Sequence, residues 1–234
     1  MEGASAKTDE PRRRPVSESA AAPFLAVAWL AAMFLAAGTL RWRSGWVYAG
    51  ITGAGLGGHR LFVMIRSPGV IRRRSEIGPG TRGWDIVWLV VFWPLMASIP
   101  VVAGIATVRL AQRPMPTWTA IPGVAVFAAG MALSAAAMVA SRFFEGTARI
   151  QADQRVVSSG PYGIVRHPGY SALVLWALSG PMLLRSAVAF VPALAAAAWV
   201  VVRTMLEDRM LRDELPGYRD HARLVPWRLV PRVW

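Results

Sequence analysis

Apolar runs near the length of a membrane-spanning helix, broken by arginine-bearing gaps, constrain this chain more than any other feature. Residues 21–40 form one such run, and 45–65, 84–108 and 117–140 form three more. Each can cross a hydrocarbon core of about 30 Å as a helix. A secretory signal is the rival reading of 21–40, but the run is longer than a signal core and no cleavage site stands out. Residues 170–206 are too long for one upright helix. Gly180-Pro181 and Arg185-Ser186 divide them, so they read as two helices in a hairpin, 170–184 and 187–206. The expected fold is all-α: a polytopic membrane helical bundle of about six transmembrane segments, the last two a hairpin, with a cytoplasmic C-terminal segment. A composition that is 55% hydrophobic excludes an ordinary soluble domain.

Charge orients the bundle. The chain has 26 basic and 13 acidic residues, a net charge of +13. Twenty of the basic residues fall in the N-terminal tail, the 66–83 loop, the 141–168 loop and the region from Arg203 onward; five fall in the alternate loops, and Arg60 lies within a span. By the positive-inside rule both termini and the 141–168 loop are cytoplasmic, in a multi-pass protein of the cell membrane. Because the arginines sit between apolar runs, lipid headgroups rather than nucleic acid are the expected partners. Three regions result. Residues 1–20 are a polar tail expected to lack order. Residues 21–140 hold four spans. Residues 141–234 hold a polar loop, the helical hairpin and a segment whose Trp227 and Trp234 suit the membrane interface.

Several chemistries are excluded. With no cysteine there is no disulfide, thiol nucleophile or Cys zinc site. His59, His167 and His221 are scattered and give no metal spacing. Gly53-Ala54-Gly55-Leu56-Gly57-Gly58 satisfies the letter of a dinucleotide fingerprint, but it lies inside a span with no strand-helix alternation. Close helix packing accounts for it better. His59 and Arg60 sit near the cytoplasmic end of that span, where snorkelling explains them.

The polar island that remains is Ser159-Gly160-Pro161-Tyr162-Gly163-Ile164-Val165-Arg166-His167-Pro168-Gly169-Tyr170. Pro168 pushes His167 out of helical geometry and suits the first position of the following helix. A compact turn then presents Arg166, His167 and two tyrosines at a helix start. The bland alternative is a loop that touches lipid headgroups. Arg203 and Glu207, four apart at the end of the last apolar run, share a helix face and are expected to turn into the bundle.

Gly160-Pro161-Tyr162 with Arg166-His167-Pro168-Gly169-Tyr170 resembles the signature of the isoprenylcysteine carboxyl methyltransferase family, membrane-embedded enzymes that use S-adenosylmethionine. Phe143-Phe144-Glu145 with Arg149-Ile150-Gln151 looks like the family's lead-in. Arg203, Glu207 and Asp208 look like its acidic helix, and Tyr218 with Leu229-Val230-Pro231 resembles its tail. The resemblance covers about residues 141–234. It implies that Gln151, Val156, Val157, Tyr162, His167, Pro168, Gly169 and Tyr170 line S-adenosyl-L-methionine. It also implies that Arg203 and Glu207 face the acceptor and that Arg166 orients a carboxylate. The expected acceptor is a lipophilic small molecule or a lipidated carboxylate. Phospholipid-amine and small-thiol methyltransferases share much of the pattern and are the runner-up. A membrane reductase using NADPH, or a transporter or scaffold, are the remaining alternatives. A transporter calls for paired interrupted helices in two related halves, and the sequence has none.

Overall fold

A computed structural model describes residues 18–67, 70 and 80–234. The described residues contain seven long or short α-helices, joined by turns and irregular segments, and no strand. They are α1 (Glu18–Ala37), α2 (Arg43–Arg66), α3 (Gly83–Gly104), α4 (Ala120–Ala140), α5 (Pro168–Leu184), α6 (Phe190–Glu214) and α7 (Tyr218–Leu224). Three helical stretches are long and apolar enough to cross a membrane: Gly83–Arg109, in which a π-turn extends α3; Thr117–Ala140, in which a 3₁₀ turn leads into α4; and Phe190–Glu214. The tail expected to lack order lies outside the described residues up to residue 17; residues 18–20 form the first turn of α1. Arg72, Arg73 and Arg74 of the basic loop also lie outside them.

The helices pack in a connected bundle. α5 lies against α4 and α6, α3 against α6 and α1, and α2 against α4. Their shared core holds Met33, Phe92, Ile99, Leu183 and Val200, each almost fully buried. Phe24, Val90, Ile121 and Val191 are more than half exposed on the outside, as a lipid-facing surface requires. α4 and α5 approach closely because Gly130 has no side chain; a Cβ there would sit 3.2 Å from the Ala172 carbonyl oxygen. The glycine run 53–58 is part of α2, so it has neither the strand nor the loop of a dinucleotide site. Gly55 receives the Phe127 ring of α4, where a Cβ would clash at 2.3 Å.

One boundary differs from the sequence expectation and one agrees with it. α5 ends at Leu184, as the 170–184 reading expects, and Arg185, whose φ of 58° is left-handed, stops it. Arg185 holds that stop by donating from Nε to the Met115 carbonyl at 2.8 Å. α6 continues past 206 to Glu214, because polar residues there find partners on neighbouring elements instead of ending the helix.

Candidate active site

The signature loop is a 3₁₀ turn, Gly160–Gly163, followed by an extended link into α5. His167 has φ −125° and ψ 61°, and Pro168 is the first helical residue. The C-terminal segment straps this link from outside. The Arg166 and His167 N–H groups donate to the carbonyls of Trp227 (2.9 Å) and Arg228 (3.0 Å), and Ser171 Oγ donates to that of Leu229 (2.7 Å). A loop without regular hydrogen bonding thereby satisfies its backbone against another irregular segment.

Asp208 of α6 sits under the loop, with its side chain 2% exposed. Arg166 donates to it from Nε (2.8 Å) and Nη2 (3.3 Å), Arg212 and Arg228 from Nε (3.1 Å each), and Tyr218 from its hydroxyl (3.0 Å). His167 Nε2 lies 3.4 Å from the same carboxylate and 3.2 Å from the Tyr218 hydroxyl. Arg166 also donates from Nη1 to the carbonyls of Val225 (2.7 Å) and Pro226 (2.8 Å). Four of its five N–H directions are thus spent inside the protein.

A second buried carboxylate comes from α3. Asp85, fully buried, lies 2.9 Å from Arg203 Nε and accepts the Ala148 N–H at 2.7 Å. Arg203 donates to the Gly146 carbonyl at 2.9 Å, and its guanidinium stands 4.2 Å from the Trp88 ring centre and 5.1 Å from that of Tyr170. The Tyr170 hydroxyl donates to Glu207. Arg203 is therefore turned into the bundle, as its position at the end of an apolar run requires, but its ion-pair partner is Asp85, not Glu207. Glu207 is left to Tyr170.

These elements line a cavity open to solvent. Gln151, Val156, Val157, Tyr162, Arg166, His167, Pro168, Gly169, Tyr170 and Glu207 all line it, while Arg203 lies behind the wall. Sequence reasoning assigned no role to four contributors. Glu145 and Arg149 form a bidentate pair at 2.6 and 2.7 Å on the cavity wall; they lie on an irregular segment, where spacing gives no signal. Asp208 was legible only as part of an acidic run, and Asp85 not at all.

Electrostatics keep the phenols of the site protonated. Burial, then the Glu207 charge, raises the Tyr162 hydroxyl above its ordinary range. Burial, then the charge and hydrogen bond of Asp208, raises that of Tyr218. His221, on the cavity wall, is lowered from 6.5 by burial and then by the charges of Arg166 and His167.

Residues 121–213 match the family model of the isoprenylcysteine carboxyl methyltransferase (ICMT) family. This part of the chain is an ICMT-family region. The match spans α4, the signature loop, α5 and nearly all of α6, so it takes in every sequence-proposed site residue. The likeness is to a family of carboxyl methyltransferases, and it falls on the apolar helices and loop that line the cavity. No curated protein matches the chain.

Proposed function

We propose that this ICMT-family chain uses S-adenosyl-L-methionine to methylate a carboxylate of a lipophilic, isoprenylcysteine-like acceptor. The observation that carries the reading is the cavity itself, where the signature loop meets the C-terminal half of α6 and the Glu207–Tyr170 pair lies on the wall. Its lining suits a sulfonium donor: of its two carboxylates Glu145 is paired with Arg149, and Glu207 with the rings of Tyr162 and Tyr170 can face a cation. When bound, the donor supplies an activated methyl, so that a C–O bond forms as the C–S bond breaks.

The protein's own contribution is placement. His167, held between Asp208 and Tyr218, and Tyr170, held by Glu207, present fixed faces to the cavity. The strap of residues 225–229 keeps the loop from opening. Tyr162 and Tyr218 stay neutral hydroxyls, so they orient by hydrogen bonding without adding charge. A carboxylate acceptor has no proton to lose, and a site made for placement is sufficient for it. An amine or thiol would need a base positioned to take a proton. Of the carboxylates that could serve, Glu145 is paired with Arg149 and Glu207 is already accepting from Tyr170, which favours the carboxylate reading.

Three span-length apolar helices together with α1, α2 and α5 are the support for six spans, α5 and α6 forming the last hairpin, and the arginine distribution is the support for cytoplasmic termini. The acceptor then reaches the cavity from the lipid side. The test is methyl transfer from radiolabelled donor to an S-prenylated N-acetylcysteine, a phosphatidylethanolamine and an alkyl thiol in parallel. Base-labile methyl ester on the prenylcysteine alone is the expected result. Transfer only to the amine or the thiol would overturn the carboxylate assignment.

A further inference from the structure

Asp85 lies outside the ICMT-matched residues 121–213, yet the cavity is referenced to it. Its two oxygens do different work: one meets the Arg203 guanidinium at 2.9 Å, the other takes the Ala148 N–H at 2.7 Å. Arg203 in turn donates to the Gly146 carbonyl. The pair therefore grips the irregular segment 146–148 from both its N–H and its C=O sides. That segment supplies Thr147 and Ala148 to the cavity wall. The same arginine lies against the Tyr170 ring, whose hydroxyl holds Glu207. One buried pair thus fixes three separate parts of the cavity: the wall loop, a residue of α5 and a residue of α6.

Fold stability alone is a poor account of this pair. Burying two charges costs about as much as their attraction returns, and apolar replacements are often as stable. Reciprocal bonds between Trp88 and Trp199, from each indole N–H to the other residue's carbonyl, already tie α3 to α6 nearby. What the carboxylate adds is direction, holding a loop that has no helix or strand to hold it.

We propose that Asp85 is a positioning residue of the methyltransferase site, which makes α3 part of the catalytic apparatus. The proposal rests on the reading of the cavity as the methyl-donor site. Asp85→Asn keeps the shape and an acceptor for Ala148 while removing the charge that orients Arg203. In the full-length protein in detergent, its affinity for S-adenosylhomocysteine, read by calorimetry, is expected to fall ten-fold or more. Hydrogen–deuterium exchange is expected to quicken within residues 145–150, with the melting temperature close to wild type.

Wild-type affinity in folded Asp85→Asn overturns the proposal, and so does unchanged exchange at 145–150. A lowered melting temperature with wild-type affinity and exchange means a structural role only, and overturns it equally. If Asp85→Asn does not fold, Asp85→Glu keeps the charge but displaces it by one methylene, and the same two readouts decide. Failure of the wild-type protein to bind S-adenosylhomocysteine strikes the donor-site reading instead. The exchange result then decides the Asp85 claim separately.

Discussion

Arg166 and Asp208 face each other across two hydrogen bonds, with side chains 1% and 2% exposed. The arginine of the signature loop thereby joins α6 to the C-terminal strap through the Val225 and Pro226 carbonyls. Its chemistry is that of a clamp: a planar fork spent on one carboxylate and two carbonyls.

Arg166→Lys should therefore be costly even though it keeps the charge. A single ammonium cannot reach all these acceptors, and a buried carbonyl left without its donor costs roughly 1–3 kcal/mol. Thermal unfolding in detergent, with limited proteolysis of the 225–234 strap, reads the effect. A loss below about 1 kcal/mol, the size of a surface pair, contradicts the clamp.

His167→Ala and Tyr170→Ala should weaken S-adenosylmethionine binding while leaving the protein folded. Both line the cavity, and their rings stack at 5.6 Å between centroids. Calorimetry on the purified variants checks this. Unchanged affinity in both returns the loop to a headgroup contact.

Glu207→Gln should slow methyl transfer ten-fold or more, about 1.4 kcal/mol of barrier, with a smaller change in donor affinity. The carboxylate lines the cavity and holds Tyr170, and the amide keeps its shape without its charge. Single-turnover rates with a radiolabelled donor measure it. Near-normal turnover removes Glu207 from the mechanism.

His221 gives the stability a pH dependence of known sign. Its folded value is depressed below 6.5, so the unfolded chain takes up the proton first. The stabilisation is complete above 6.5 and is lost as pH falls from there toward the folded value. His221→Phe should flatten that part of the profile. Equal slopes for the two proteins in thermal melts between neutral and mildly acidic pH would count against it.

Much of the fold was legible because helix length and apolarity are local properties. The run at 117–140 begins and ends where its helix does, and Pro168 starts α5 where a proline that cannot donate is best placed. α6 was cut short at 206 because its charges read as an end, whereas Asp208 is buried among arginines from three elements. The site was legible where its residues are consecutive, as from Arg166 to Tyr170. Asp85 carries no signal of its own, because its partners are Arg203 and Ala148, far along the chain. The spacing of Arg203 and Glu207 put them on one face correctly, but spacing cannot tell that a third helix supplies the partner.

Reporter fusions after residues 155 and 220 should both report cytoplasm, as the distribution of arginines requires. An external signal at 155 would cut the cavity off from a cytosolic donor and break the six-span reading.

The central claim is that this cavity takes a sulfonium methyl donor, and ligand binding tests it most directly. The purified full-length protein in detergent is titrated with S-adenosylhomocysteine and, separately, with NADPH. The account predicts saturable binding of S-adenosylhomocysteine that His167→Ala weakens, and none of NADPH. Binding of NADPH with none of S-adenosylhomocysteine would contradict it.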